Sequence, residues 1–196
     1  MTFTRFVFLA VLVIAPQFLL SQQADPKSSA PAAPAIDNAF VQKAFGASCT
    51  LIGSPSLVAD LNGDGIDDVV IPAKCKNPMM DQTENNFTVI DPYYTFFGYG
   101  DPKVSTQFST EVPERRGLCL LVIHGSGKEA WRSATPLAKF VIVNLPFKEI
   151  MLKKLMVHKK KVTAIYVQET GADEMTSAVF WDGKKYRYEP MGASME

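Results

Sequence analysis

Oxygen-bearing side chains recur at alternate positions in Asp60-Leu61-Asn62-Gly63-Asp64-Gly65-Ile66-Asp67-Asp68, a D-x-N-x-D-G-x-x-D pattern. Asp60, Asn62, Asp64 and Asp68 fall at loop positions one, three, five and nine. Carboxylates gathered this closely repel one another unless a cation sits between them. Calcium is the matching ion, since it takes roughly six to eight hard oxygen ligands in flexible geometry. Gly63 and Gly65 allow the sharp backbone that lets alternate side chains aim at one point. Ile66 stands at position seven, where a backbone carbonyl ordinarily coordinates. The expected site is therefore Ca2+ held by Asp60, Asn62, Asp64, the Ile66 carbonyl and Asp68, with water completing the shell. The same residue types also build plain surface turns; the register of the oxygens is what favours the ion. An EF-hand closes with a Glu at position twelve, whereas here that position is Ile71, inside Val69-Val70-Ile71. The loop thus leads into a strand, and Asp68 is the expected closing ligand.

Other chemistry is thin. Two His and three Cys leave little material for a zinc or iron site. His124-Gly125-Ser126-Gly127 is similar to a hydrolase oxyanion loop, but no G-x-S-x-G nucleophile elbow exists in the chain, and a turn accounts for it better. Gly125-Ser126-Gly127-Lys128 lacks the earlier glycine of a phosphate loop, because Val122 occupies that position. Lys159-Lys160-Lys161 reads as a solvated turn. Asn86-Phe87-Thr88 is a glycosylation sequon.

The loop must be held by strands. Ser56 to Ala59 and Asp68 to Ala73 flank it. Leu118 to His124, Phe140 to Leu145 and Val162 to Glu169 are rich in Val, Ile and Leu. Glu129 to Ala134 is a short candidate strand around Trp131, and Leu152 to His158 is ambiguous between helix and strand. Ser177 to Trp181 and Lys185 to Tyr188 surround Asp182-Gly183, a strong hairpin signal. Asp37 reads as the N-cap of a short helix in which Ala39, Phe40, Val41, Ala44 and Phe45 fall at helical spacing; it stops at Gly46 and is expected to dock by Phe40 and Phe45. Lys74 to Gly117 is too long for a structureless loop and is expected to hold a short helix or extra strands. Its aromatics Tyr93, Tyr94, Phe96, Phe97 and Tyr99 serve either as a ligand surface or as a cover for a sheet face. The expected architecture is α+β: an N-terminal helix packed on a largely antiparallel sheet, one hairpin of which carries the calcium loop.

The N-terminal segment suggests export. Arg5, an apolar run from Phe6 to Leu20 and the small polar residues up to Ala24 have the layout of a secretory signal peptide at 1–24. Pro16 interrupts the run, which argues against a spanning anchor, and no later segment is apolar enough to span. Residues 25–36 read as a Pro/Ala/Ser linker, and 37–196 as one domain with the calcium loop at 58–71. The protein is expected in the periplasm or outside the cell. Twenty Lys+Arg balance twenty Asp+Glu, without the basic excess of a nucleic-acid binder. An oxidising compartment permits one disulfide among Cys49, Cys75 and Cys119. Cys119 lies within the apolar run Leu118 to Ile123 and reads as a small buried hydrophobe. Cys49 and Cys75 flank the loop on either side and are the preferred pair of the three.

Val58-Ala59-Asp60-Leu61-Asn62-Gly63-Asp64-Gly65-Ile66-Asp67-Asp68-Val69-Val70-Ile71 resembles the core of an FG-GAP/VCBS repeat, the calcium-binding repeat of integrin-type propellers. The resemblance implies calcium on a β-hairpin, bound through Asp60, Asn62, Asp64, the Ile66 carbonyl and Asp68. Propellers carry several such repeats and this chain carries one. Val179-Phe180-Trp181-Asp182-Gly183-Lys184-Lys185-Tyr186 is similar to the last hairpin of small exported bacterial proteins bearing a single repeat. The expected function is a non-enzymatic calcium-binding domain, an interaction module whose partner is a protein or another envelope component. The alternative is a secreted hydrolase or carbohydrate-active protein with a structural calcium site.

Overall fold

The computed structural model describes residues 36–98 and 116–191, all within a unit spanning Ile36–Glu196. The signal segment, the linker up to residue 35, and Tyr99 lie outside the described residues. Ten strands dominate what is described: β1 Cys49–Leu51, β2 Leu57–Ala59, β3 Asp68–Cys75, β4 Thr88–Ile90, β5 Leu118–His124, β6 Ala138–Ile142, β7 Phe147–Val157, β8 Lys160–Glu169, β9 Ser177–Trp181 and β10 Tyr186–Pro190. The helices are short: α1 Asn38–Phe45, α2 Pro78–Asp81 and α3 Pro92–Phe97.

The expected α+β architecture is overturned. The chain is mostly β, its strands form two sheets rather than one, and no long N-terminal helix packs on a sheet. The first sheet runs β1-β3-β5-β6-β4, with β2 also paired to β3; its β4–β6 pair is parallel. The second is the antiparallel meander β7-β8-β9-β10. The physical reason lies in the apolar runs. Val69-Val70-Ile71 and Cys119 to Ile123 are buried throughout, so both faces of the first sheet must be covered. One face presents Val70, Leu120, Val122 and Ile142 to Ile165, Val167, Val179 and Tyr186 of the second sheet. The opposite face buries Val69, Ile71, Leu121, Ile123 and Val141 beneath Val41 and Phe45 of α1.

Local chemistry sets the remaining elements. Asp37 caps α1 by accepting the Phe40 N–H at 2.7 Å, and Gly46 ends it at φ 94°. Lys139 Nζ donates to the Ala44 carbonyl at 2.6 Å and the Asn85 carbonyl at 2.5 Å. That links the end of α1 to the loop before β4. Asp91, fully buried, caps α3 through the Tyr94 N–H and accepts from Asn144 Nδ2. Burial raises its carboxyl above the usual range, against these bonds. Pro72 sits in β3 where neither β1 nor β2 runs alongside, a position that tolerates a missing N–H. Leu152 to His158 resolves as strand, ending at His158 and Lys159, both at positive φ, as a two-residue type I′ turn requires. The candidate strand around Trp131 is instead a 3-10 segment, Gly127–Arg132, kinked at Ala130. No helix among the described residues is long and apolar enough to cross a membrane.

Candidate functional site

The loop 60–67 joins β2 to β3, whose register pairs Ala59 with Asp68 and Leu57 with Val70. Its backbone is held by its own side chains. Asp60 accepts the Gly63 N–H on Oδ1 at 2.7 Å and the Gly65 N–H on Oδ2 at 2.9 Å. Asn62 Oδ1 accepts the Asp64 N–H at 2.9 Å, and its Nδ2 donates to Asp64 Oδ2 at 3.0 Å. Asp64 Oδ1 accepts the Ile66 N–H at 2.8 Å. Gly63 and Gly65 both take φ 83°, a left-handed backbone that glycine enters without steric cost. Asp64 is exposed, Asp60 and Asn62 half-buried, and Ile66 half-buried with its neighbour Asp67 exposed.

Asp68 differs from the other three. It is fully buried. Its Oδ2 accepts the Leu61 N–H at 2.8 Å and the Asn62 N–H at 3.3 Å, and its Oδ1 accepts the Gly125 N–H at 2.8 Å. Burial pushes its carboxyl up to about 6, opposed by the three amides and reinforced by the Asp64 charge. Asp68 therefore joins the start of the loop to the end of β5.

Beneath the loop lies an aromatic cluster that sequence reasoning missed. His124 is 1% exposed, and its Nε2 is hydrogen-bonded to the Tyr186 hydroxyl at 2.7 Å. The imidazole lies between Phe140 and Trp181, each with ring centroids 5.0 Å away. Burial pulls the imidazole down to about 4, with the charges of Asp64 and Asp60 acting the other way. Burial, reinforced by the Asp68 charge, holds the Tyr186 hydroxyl well above its ordinary value. The signal for this cluster was parity: His124 shares its side of β5 with Leu120 and Val122, which face the second sheet.

The donor set suits a hard cation. Among the described residues the one ion pair is Arg187 with Asp182, so no basic side chain neutralises the loop carboxylates. A carboxylate oxygen with one amide bond keeps a second lone pair. Asp60, Asp64 and Asp68 Oδ1 therefore retain acceptor capacity, while Asp68 Oδ2 has none. As positioned, these side chains turn onto amides. Among the described residues no three Asp, Glu, His or Cys side chains converge on a common point. A bound Ca2+ would supply charge neutralisation, with Asp60, Asn62, Asp64 and Asp68 Oδ1 as its side-chain oxygens and Ile66 as its carbonyl.

The remaining candidates fall elsewhere. Tyr93, Phe96 and Phe97 gather around Tyr188 of β10, with centroids 5.2, 5.5 and 6.4 Å from it. Cys49 and Cys75 are bonded, and Cys119 is a buried free thiol. Lys159, Lys160 and Lys161 are exposed. No family model, curated protein or solved structure matches this chain.

Proposed function

We propose that this chain is an exported, non-enzymatic calcium-binding domain that serves as an interaction module of the cell envelope or secreted milieu. The observation that carries this reading is the oxygen register of Asp60, Asn62, Asp64 and Asp68 on a β2–β3 loop that has no basic counter-charge among the described residues. The likeness of residues 58–71 to an FG-GAP/VCBS repeat supports it, as does the signal-like layout of residues 1–24. Balanced charge supports a partner other than nucleic acid. The loop shapes the β2–β3 hairpin, so the ion's role is to stiffen a surface rather than to perform chemistry. Titration calorimetry of the chelator-stripped protein tests the reading. One calcium per chain is expected, with weak affinity of about 10⁻⁴ to 10⁻³ M as in extracellular modules. Absence of binding heat, together with identical melting in calcium and in chelator, would leave the loop a turn.

A further inference from the structure

Three sulfurs meet where β1, β3 and β5 lie side by side. Cys49 and Cys75 are cross-strand partners in the β1–β3 register and form the disulfide. Cys119 pairs in register with Ala73, two residues along β3 from Cys75, so both cysteines point to the same face. The Cys119 Sγ lies 3.3 Å from the Cys75 Sγ and 3.6 Å from the Ala73 carbonyl oxygen. All three cysteines are buried. A small cavity lined by Cys75, Gly117, Leu118, Cys119 and Asn144 lies beside them. A thiol touching one sulfur of an existing disulfide is the reactant arrangement of thiol–disulfide exchange.

We propose that Cys49, Cys75 and Cys119 form an internal exchange set, in which Cys119 takes Cys75 from Cys49 and moves the covalent staple from β1–β3 to β3–β5. Cys119 gives up its proton, and its thiolate attacks the Cys75 Sγ. The Cys75–Cys119 bond forms, the Cys49–Cys75 bond breaks, and its electron pair leaves on the Cys49 Sγ, which takes up a proton. One disulfide and one thiol exist before and after, so no outside oxidant or reductant is consumed. Closing 3.3 Å to a bond of about 2.05 Å needs a modest approach of the two strands. Diagonal cross-strand partners sit with Cα atoms about 7–8 Å apart, beyond the roughly 7 Å that a disulfide spans without backbone movement, so β3 and β5 must shift toward each other for the new bond to close. Burial pushes the Cys119 thiol up to about 12, so the closed fold keeps it protonated and the exchange is held off until this edge opens. Its consequence is local. β1 is a three-residue edge strand that follows α1 directly, and the Cys49 bond is its covalent tie to β3.

Peptide mapping of the full chain tests the proposal. Wild-type protein is incubated in mildly alkaline buffer with sub-denaturing urea, quenched in acid, unfolded and labelled with N-ethylmaleimide. The label is expected on Cys119 before incubation and divided between Cys119 and Cys49 afterwards. Cys119→Ser should keep the Cys49–Cys75 bond and take no label under either condition. Cys49→Ser, oxidised with glutathione disulfide, should form an intramolecular Cys75–Cys119 bond. Label confined to Cys119 in the incubated wild type overturns the proposal, whether or not Cys49→Ser folds. So does a folded Cys49→Ser that yields only glutathione adducts or dimers.

Discussion

The Gly125 amide donates to Asp68 Oδ1 at 2.8 Å, so the end of β5 is hydrogen-bonded to the closing residue of a loop 57 positions earlier. The bond needs close backbone approach. A β-carbon on Gly125 would lie against the Asp67 carbonyl oxygen, and at 2.7 and 2.8 Å from the backbone of Ala130 and Trp131. None of these is the tip of a flexible side chain. Gly125→Ala is therefore expected to push the 3-10 segment off the loop and cost about 2–3 kcal/mol, in the range of overpacked cores. A urea melt should report it as a lower midpoint at unchanged slope.

His124 sets a pH dependence. Its imidazole protonates in the unfolded chain below about 6.5 but in the fold only near pH 4. Its contribution is thus fully present above the unfolded value and lost as pH falls toward the folded one. Asp68 runs the opposite way. With a folded value of about 6 against an ordinary 3.8, it binds its proton more readily in the fold, and acidification through that window favours the native state. The two partly cancel in the wild type, so the informative quantity is a difference. Between about pH 8 and about pH 5, wild type should lose on the order of 2 kcal/mol relative to His124→Gln, read from paired denaturation curves. A constant gap between the two proteins would contradict a buried neutral imidazole.

Ala130 holds φ 53° and ψ −130°, a conformation that costs an L side chain on the order of 1–3 kcal/mol. It is fixed there because its carbonyl accepts the Ser126 and Ser133 amides, both at 3.1 Å. Ala130→Gly removes the steric conflict, at the cost of a methyl partly packed on the core and of a more flexible unfolded chain. The expected net effect is a gain of about 0.5–1 kcal/mol, seen as a higher thermal midpoint. A loss would mean that the methyl's packing outweighs the strain.

What could be read in the sequence was local. Asp37 and Gly46 bound α1 because capping acts within a few residues, and Asp182 organises the last hairpin by accepting the Lys184 and Lys185 amides. The oxygens of the candidate loop are likewise a matter of spacing. The partition into two sheets was not legible. A run such as Val69-Val70-Ile71 says that both faces are buried but not by what, and the second sheet answers from nearly a hundred residues away. The burial of Asp68 and the His124–Tyr186 pair depend on partners equally remote in sequence. The region around Trp131 misled because its apolar residues suit a strand, while the kink at Ala130 and the bonds to Ser126 and Ser133 close a 3-10 segment.

The loop's two kinds of acid should separate under mutation. Asp64 is exposed and bonded only within the loop, whereas Asp68 is buried and holds the amides of Leu61, Asn62 and Gly125. At millimolar free calcium and an affinity of about 10⁻⁴ M, binding adds roughly 1.4 kcal/mol by mass action. That raises the melting temperature of a domain of this size by about 2–4 °C per kcal/mol. Asp64→Ala should abolish the shift while leaving melting in chelator close to wild type. Asp67→Ala, at an exposed position outside the oxygen register, should leave the shift intact. Asp68→Ala strands the buried Leu61 and Gly125 amides, at about 1–3 kcal/mol each before relaxation, and frees the part-buried Asn62 amide; it should lower the midpoint in calcium and in chelator alike. Magnesium should substitute poorly, since it demands octahedral geometry and keeps its waters. Thermal melts of the four proteins in calcium, magnesium and chelator give every comparison. A calcium shift that survives Asp64→Ala would place the ion somewhere other than this loop.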